Sequence, residues 1–278
     1  MKLVADRKIR SPLKAFGGKS YLARRIIALM PDHGRYVEPF VFGGSVFLNK
    51  RPAFQSAIGD LNPMVADFWR SLRSSRALVE WIEMAEYSEE TFARVKSGLR
   101  SSERAIRAWA FLVRNRMSRG GLGETFAWSD RLRGGQPGDV NAWETMKTQL
   151  PEVLAKLDST LIMNAPAVRT IRSMDGPETL FYCDPPYLHE TRTARQAYGD
   201  FEMDAEAHAE LLDVLSKIEG KFLLSGYRSA MYDDAAARHG WSRVDFEIAN
   251  HSGQGKSKQR RTECVWANFE LPGSEGRD

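Results

Sequence analysis

Hydrophobic residues along the chain fall into two patterns, short apolar runs and apolar residues repeated at helical spacing. Short apolar runs bounded by turn residues are typical of strands buried in a sheet. On this basis the sequence predicts strands at residues 36–38, 57–60, 160–163, 180–183, 221–225, 242–248 and 263–269.

The helical pattern is clearest between residues 76 and 115, where Leu78, Ile82 and Ala85 share one face. Pro63 suits the first turn of another helix, because its missing N–H needs no partner there. Helices are predicted at residues 45–50, 63–73, 76–115, 142–157, 204–217 and 229–238. Residues 117–140 are rich in Gly, Arg and Ser without a period, which predicts a long loop or a small hairpin.

Strands and helices alternate except in the block from about residue 75 to 158. This order predicts an α/β fold, a Rossmann-like, doubly wound sheet interrupted by a mostly helical insertion. The expected domains are a sheet domain of residues 1–74 and 159–278 and an inserted domain of residues 75–158.

Composition narrows the class of protein. Two Cys among 278 residues exclude a disulfide scaffold and a cysteine-rich zinc module. No apolar run approaches the ~20 residues of a membrane span, and the first residues include no apolar stretch of signal-peptide length. A soluble cytoplasmic protein without a membrane partner is the expectation.

The formal net charge of +4 conceals an uneven distribution. Residues 1–30 and 94–133 each carry +7, and residues 251–262 carry +4. Three basic segments on an acidic body fit a protein that grips a polyanion along one face. Solvated helix faces with a basic loop are the alternative, and charge alone leaves both open.

The strongest chemical signal is Asp184-Pro185-Pro186-Tyr187, directly after the predicted strand 180–183. In parallel α/β sheets, sites lie at the carboxyl ends of strands. The two prolines remove backbone donors while their carbonyls still accept hydrogen bonds. A carboxylate beside a carbonyl suits an amino group with two N–H donors, and Tyr187 adds a ring for stacking. The alternative is a strand-ending turn capped by a buried Asp.

Three weaker motifs precede it. Residues 38–45 (EPFVFGGS) form a glycine turn between a strand and a helix, where a ligand can approach the backbone closely. Asp60 ends the next strand, where an acid can take ribose hydroxyls. Residues 16–20 (FGGKS) are not a phosphate-binding P-loop, because Leu13 stands where that motif needs its first Gly. Nucleotide hydrolysis is excluded on that ground.

The motifs FGGK (16–19), EPFVFGG (38–44), GDLN (59–62) and DPPY (184–187), with a long insert before DPPY, occur in a specific order. This series resembles the DNA adenine-specific (N6) methyltransferases, in the Dam-like alpha group of phage and prophage type. The resemblance extends through LSGY (224–227) and RTE (261–263), covers about residues 12–269, and is weakest at 75–158.

The resemblance implies a Rossmann-like, S-adenosylmethionine-dependent methyltransferase sheet, with the insertion 75–158 as the target-recognition domain. It implies site-specific transfer of a methyl group to the N6 amine of an adenine flipped out of double-stranded DNA. The implied location is the cytoplasm of a bacterial or phage-infected cell, on the nucleoid DNA. The carried-over catalytic residues are Asp184, Pro185, Pro186 and Tyr187, and the cofactor residues are Ala15, Phe16, Gly17, Gly18, Lys19, Glu38, Pro39, Phe40, Gly43, Asp60, Asn62 and Asp184. Ala15 departs from the family, which often has an aromatic residue there.

DNA contacts are expected from the basic segments. Arg and Asn side chains read guanine and adenine by bidentate bonds, but the same groups also bind phosphates, and the sequence does not separate these uses. The candidates are Arg114, Asn115, Arg116, Arg119, Arg131, Arg133, Lys256, Lys258 and Arg260.

Several alternatives remain open. An N4-cytosine enzyme also presents an exocyclic amine to a similar motif, and an RNA or protein-amide methyltransferase or a non-catalytic DNA-binding relic is a further possibility. Cys183 is interpreted as a small buried strand residue rather than a nucleophile. The histidines lack ligand-like spacing, so no metal is expected. The recognition sequence, the oligomeric state and a restriction partner are not determined by the sequence.

Overall fold

The computed structural model describes residues 8–15, 19–188, 199–249 and 260–272, without the side chains of residues 248, 249, 260 and 261. Within these ranges the strands are β1 Arg35–Glu38, β2 Gln55–Gly59, β3 Leu132–Arg133, β4 Gln136–Pro137, β5 Thr160–Met163, β6 Thr179–Cys183, β7 Lys221–Gly226, β8 Ser242–Ala249 and β9 Arg260–Ala267. All the predicted strands are present within a few residues of their expected bounds.

The helices of the described residues follow the predicted order. They are α1 Ala23–Ile27, α2 Ser45–Asn49, α3 Pro63–Ser74, α4 Arg76–Met84, α5 Glu89–Arg94, α6 Arg104–Arg116, α7 Gly138–Thr148, α8 Leu150–Leu157, α9 Ala167–Met174, α10 Ala205–Leu215 and α11 Ala230–His239. None of them is long and apolar enough to cross a membrane.

The main sheet has seven strands in the order β5-β2-β1-β6-β7-β9-β8. Strands β2, β1, β6 and β7 run parallel, and β9 is antiparallel to both β7 and β8. The chain proceeds from β1 outward to β2 and from β6 outward to β7, so the strand order reverses between β1 and β6. This mostly parallel sheet confirms the predicted α/β, Rossmann-like fold class, and the reversal marks where such folds bind ligands.

The chain divides into two compact units. The first unit comprises residues 1–27, 41–52 and 62–164, so it contains the whole predicted insertion 75–158 together with flanking segments. The second unit comprises residues 28–40, 53–61 and 165–278. The assignment of residues 75–158 to target recognition stays a prediction.

Helix α3 shows why the first unit folds as it does. Its apolar residues Val65, Phe68, Trp69 and Leu72 lie at helical spacing and are all fully buried. Asn62 caps the helix, since its side chain accepts a hydrogen bond from the N–H of Met64 at 2.9 Å.

Several features of the helices differ from the predictions. The stretch 76–115, predicted to be helical throughout, contains three helices, α4, α5 and α6, with non-helical residues 85–88 after α4 and a 3₁₀ helix, Val95–Arg100, before α6. Helix α1 was not predicted. The predicted helix 142–157 is two helices, α7 and α8, that meet at Gln149. Pro151 explains the break, because a proline lacks the donor that a continuous helix needs and its ring crowds the preceding turn. Helix α9 was not predicted, since it is short and buries only Thr170 and Ile171.

The core of the second unit lies along its sheet. Val37, Phe181, Phe222, Leu224 and Trp266 are buried side chains of one hydrophobic cluster on β1, β6, β7 and β9. The buried cluster holds these strands rigidly, so the residues that follow their carboxyl ends stand on a fixed support.

Candidate active site

Three acidic residues lie at the carboxyl ends of adjacent parallel strands in the second unit. Glu38 is the last residue of β1, Asp60 follows β2, and Asp184 follows β6. The register pairs Glu38 with Ile58 of β2 and Val37 with Phe181 of β6, which brings the three strand ends together at one edge. Glu38, Asp60 and Asp184 therefore follow adjacent strand ends, at the point where the strand order reverses, and their contact with a ligand stays a prediction.

Glu38 is held in a buried position, with its side chain 3% exposed. The hydroxyl of Tyr36 donates a hydrogen bond to Oε2 of Glu38 at 2.7 Å. Burial, followed by the charge of Glu38, raises the pKa of Tyr36 well above its ordinary value, so this hydroxyl keeps its proton and remains a donor. The carboxylate of Glu38 is thereby fixed in orientation.

Asp184 and Pro185 lie where β6 leaves the sheet. Pro185 is buried, whereas Asp184 is partly exposed. Cys183, one residue earlier, is fully buried, and burial followed by the nearby Asp184 raises the pKa of its thiol. The reactive thiolate is disfavoured, which supports the interpretation of Cys183 as a packing residue.

Tyr187 is fixed at both its ring and its hydroxyl. The hydroxyl donates to Oε2 of Glu263 on β9 at 2.7 Å, and both side chains are buried. The ring of Tyr227 packs edge-on against Tyr187, with 4.7 Å between ring centroids. Burial raises the pKa of Tyr187 well above its usual value, with further contributions from Asp184 and Glu263.

A second buried tyrosine lies on β6. The hydroxyls of Tyr182 and Ser225 are 3.0 Å apart and share a hydrogen bond between β6 and β7. Burial and the neighbouring Asp184 raise the pKa of Tyr182. The hydroxyls of Tyr182 and Tyr187, next to Asp184, therefore stay protonated and neutral.

Tyr36, Ser225 and Glu263 have no role that is predicted from the sequence. A signal for Glu263 is present, because a single carboxylate precedes the apolar run Cys264–Ala267 at the start of the predicted strand 263–269. A buried charge of this kind needs a partner, but its identity, 76 residues away in the sequence, follows only from the fold.

The remaining described cofactor candidates belong to the first unit, apart from Pro39 and Phe40 that follow Glu38. Lys19 is buried and opens a short 3₁₀ turn, Ala15 is half-buried, and Asn62 caps α3. Whether these residues contact a cofactor stays a prediction.

The loop before α2 is held closely by its neighbours in the first unit. Phe42 has a φ of 31°, which is uncommon for a bulky residue, and its carbonyl accepts the indole N–H of Trp69 at 2.9 Å. A Cβ on Gly43 would lie 2.7 Å from Oγ of Ser11. Packing against Ser11 is thus one reason for glycine at position 43, and the close approach of a ligand expected from the sequence stays a prediction.

Three predicted DNA-binding residues at the end of α6 make bonds within the first unit. Asn115 is 3% exposed and bonds to backbone atoms of Lys14 and Gly121. Arg116 donates to the carbonyl of Ala142 at 3.0 Å, and burial lowers its pKa to about 10. Arg114 lies over the ring of Phe92, with its Cζ 3.9 Å from the centroid. The structure gives these side chains internal contacts and does not test their predicted contacts with DNA.

The other described candidates are on the surface. Arg119 lies in a short 3₁₀ turn after α6, and Arg131 and Arg133 lie at the start of the exposed hairpin β3–β4. The hairpin itself confirms the expectation of a loop or small hairpin at 117–140. Phe16, Gly17, Gly18, Lys256 and Lys258 lie outside the described residues, as does the side chain of Arg260.

Among the described residues, no group of three or more His, Cys, Asp or Glu side chains is placed to bind a metal ion. The chemistry of the strand ends is that of carboxylates, a carbonyl and neutral hydroxyls. Such a set can accept hydrogen bonds from amino and hydroxyl groups of a ligand.

Comparison with known proteins agrees with this chemistry. The chain is 27% identical over 225 residues to a DNA adenine methylase of Vibrio cholerae, covering 76% of this chain and 77% of that protein. It is 28% identical over 192 residues to the DNA N-6-adenine-methyltransferase of Escherichia phage P1, covering 64% of this chain and 24% of that protein. Among solved structures, a putative RNA methyltransferase from Pyrococcus horikoshii is 8% identical at a TM-score of 0.40, covering 96% of this chain and 91% of that one, and so distant a likeness carries no argument here. The family model for the D12 class of N6 adenine-specific DNA methyltransferases matches residues 16–253, and the chain belongs to that family.

Proposed function

We propose that this protein methylates the N6 amine of adenine at a specific site in double-stranded DNA, with Asp184 and the carbonyl of Pro185 holding the amine. The observation that carries the assignment is the position of Asp184 and Pro185 at the end of β6, beside Glu38 at the end of β1. This is the edge at which the strand order reverses and where doubly wound sheets bind ligands.

The substrate amine needs activation because its lone pair is delocalised into the purine ring. Asp184 and the Pro185 carbonyl accept its two N–H groups, which favours a pyramidal nitrogen with its lone pair directed outward. Both acceptors stand on the rigid end of β6, so orientation and preorganised electrostatics supply the rate enhancement without a covalent enzyme intermediate.

The adenine must leave the duplex to reach these acceptors. Tyr187 lies three residues after Asp184, and its ring is fixed by Tyr227 and Glu263. In the proposed complex this ring stacks on the flipped base and offsets part of the stacking lost from the duplex. A ring already locked in place has little side-chain entropy left to lose on binding.

S-adenosylmethionine supplies an electrophilic methyl group on a sulfonium. The carboxylates of the second unit suit S-adenosylmethionine as hydrogen-bond acceptors. Asp60 can accept bonds from its ribose hydroxyls, and the carboxylate of Glu38 is held in one orientation by the hydroxyl of Tyr36. In the first unit the resemblance assigns Lys19 and Gly43 to the same molecule. No described cysteine competes as a nucleophile, since Cys183 and Cys264 are buried and burial raises the pKa of both thiols.

Nucleoside analysis of treated DNA tests this function. The full chain is incubated with labelled S-adenosylmethionine and unmethylated plasmid DNA, and the DNA is hydrolysed and analysed by mass spectrometry. The expected product is N6-methyladenine. N4-methylcytosine as the product, or transfer to RNA in preference to DNA, would replace the proposal by one of the alternatives. Matched single-stranded and duplex oligonucleotides test the preference for duplex.

The role of Asp184 is tested by D184A. Loss of its acceptor is expected to lower the rate of methyl transfer by at least about a hundredfold, with DNA affinity in a gel-shift assay largely retained. D213A is the matched control, because Asp213 is an exposed carboxylate on α10 paired with Lys217. Equal turnover of D184A and D213A would remove Asp184 from the mechanism.

A further inference from the structure

The side-chain amide of Asn115 has all its donors engaged inside the first unit. Its Oδ1 accepts the N–H of Lys14 at 2.7 Å, and its Nδ2 donates to the carbonyls of Lys14 at 3.0 Å and Gly121 at 2.9 Å. Reading adenine needs one amide donor and one acceptor together. Asn115 would have to give up these buried bonds before it could bind a base.

The loop after α6 packs closely against the backbone of Lys14 at Gly121. Gly121 has a φ of +81°, and a Cβ there would lie 2.7 Å from the carbonyl oxygen of Lys14 and 3.1 Å from Nδ2 of Asn115. Ser118 closes the loop, since its Oγ accepts the N–H of Gly123 at 2.7 Å. Asn115 thus connects the loop that carries Arg119 to Lys14 by hydrogen bonds to both.

Two more side-chain amides hold the same N-terminal segment, residues 8–15. Gln149 accepts the N–H of Arg10 at 2.9 Å and donates to the carbonyl of Lys8 at 3.0 Å. Asn49 of α2 accepts the N–H of Ile9 at 2.9 Å and donates to its carbonyl at 2.8 Å. Side-chain amides therefore bond to the backbone N–H and carbonyl groups of this segment, as a neighbouring strand would. Of these three amides, Asn115 is the one that also bonds to the loop bearing Arg119.

We propose that Asn115 is a positioning residue that links this loop to residues 8–15, which precede the predicted cofactor residues 16–19 in the sequence, and that it does not read bases. The inference rests on the proposed function and on two expectations from the sequence, that Arg119 contacts DNA and that Lys19 contacts S-adenosylmethionine. DNA that fixes the loop also fixes Lys14 through Asn115, so part of the ordering needed for cofactor binding is already complete. Such coupling is reciprocal, so the cofactor tightens DNA binding by the same factor.

The experiment compares cofactor affinity with sequence preference. Methyl transfer to unmethylated plasmid DNA gives the KM for S-adenosylmethionine, and sequencing of the modified DNA gives the methylated site. N115A is expected to raise the cofactor KM about tenfold while methylating the same site as the unmodified protein. N115D, which keeps the acceptor for Lys14 but loses both donors, is expected to lie between them. Relaxed site preference at an unchanged cofactor KM would overturn the proposal.

A second pair of variants decides the question if N115A does not fold. G121A places a methyl group 2.7 Å from the carbonyl oxygen of Lys14, whereas G120A places one in ordinary contact, 3.9 Å from Cγ of Leu122, at a similarly left-handed φ of +64°. Both substitutions place a side chain at a left-handed φ, so the steric contact with Lys14 is the main difference between them. A raised cofactor KM in G121A but not in G120A supports the link, and equal values overturn it.

A failure of the proposed function is recognised by a different measurement, methyl transfer to DNA by the unmodified protein. If the unmodified protein transfers no methyl group to DNA, that function is wrong. The link is then judged by calorimetry with S-adenosylhomocysteine, where weaker binding to G121A than to G120A supports it and equal binding overturns it.

Discussion

The hydroxyl of Tyr187 donates a hydrogen bond to Oε2 of Glu263 across 2.7 Å, which ties the candidate catalytic motif to strand β9. Both side chains are buried, so the bond joins a neutral donor to a carboxylate away from water. A hydrogen bond of this kind contributes more than one between neutral groups. It keeps the Tyr187 ring in a single orientation next to Asp184.

A double-mutant cycle measures this bond. Y187F removes the donor and keeps the ring, and E263Q keeps an acceptor but removes the charge. Each variant is expected to lower the free energy of unfolding by about 1–3 kcal/mol. Urea denaturation of Y187F, E263Q and the double variant gives the coupling energy. The double variant is expected to lose less than the sum of the single losses. Strictly additive losses would show that the two residues do not interact.

Alkaline pH is expected to destabilise the second unit through its buried tyrosines. Burial raises the pKa values of Tyr36, Tyr182 and Tyr187 well above the ordinary value of 10.0. Above pH 10 the unfolded chain therefore loses protons that the folded chain retains, so stability is full below that pH and falls as pH rises. The expected slope is about 1.4 kcal/mol per pH unit for each tyrosine.

Urea denaturation at a series of pH values across this range measures the slope. Y187F provides the internal comparison, because it removes one of these titrating hydroxyls and leaves the ring. Its slope above pH 10 is expected to be shallower than that of the unmodified protein by the contribution of one tyrosine. An identical slope would mean that Tyr187 ionises as readily in the folded chain as in the unfolded one.

The hairpin arginines Arg131 and Arg133 are expected to contact phosphates. Both are exposed on β3 and its approach, at a turn formed by Gly134 and Gly135. Each phosphate contact contributes about 0.9 to the slope of log affinity against log salt concentration, so the variant R131A/R133A should flatten that slope by about 1.8.

R76A serves as the control for that measurement. Arg76 is similarly exposed, but it lies on α4 in an ion pair with Glu80. Gel-shift titrations at several salt concentrations give the slopes for both variants. An unchanged slope for R131A/R133A, equal to that of R76A, would remove the hairpin from the DNA interface.

The sequence predicts those parts of the fold and site that depend on local pattern. Residues 180–187 illustrate this, since an apolar run followed by an acid and two prolines locates a strand end whatever surrounds it. The end of α6 illustrates the converse. Asn115 follows Ala108 and Leu112 at helical spacing on the buried face, so the periodicity contains the information, but a polar residue beside two arginines suggests a surface. Its partner at Lys14 is 101 residues away, and only the folded chain brings the two together.

Gly43 gives a prediction about the loop that the resemblance assigns to the cofactor. A methyl group at this position would lie 2.7 Å from Oγ of Ser11, and that oxygen is itself held by the backbone of Leu13 through bonds of 2.7 and 3.0 Å. G43A is therefore expected to lower the free energy of unfolding by about 1–3 kcal/mol through overpacking. It should also raise the KM for S-adenosylmethionine, because the loop has to move away from Ser11.

The variant S11A/G43A shows whether the effect of G43A comes from the steric clash with Ser11 or from the lower backbone flexibility of alanine. Removing Oγ leaves the carbonyl oxygen of Leu13 at 3.4 Å and Cβ of Ser11 at 3.5 Å as the nearest atoms, so part of the stability and of the cofactor affinity should return. G176A is the control for the substitution itself, since a Cβ there would lie 3.9 Å from Oγ1 of Thr179, without a clash. Urea denaturation and the cofactor KM are measured for all three variants. If S11A/G43A is no better than G43A in either measurement, the contact with Ser11 is not the reason for glycine at this position.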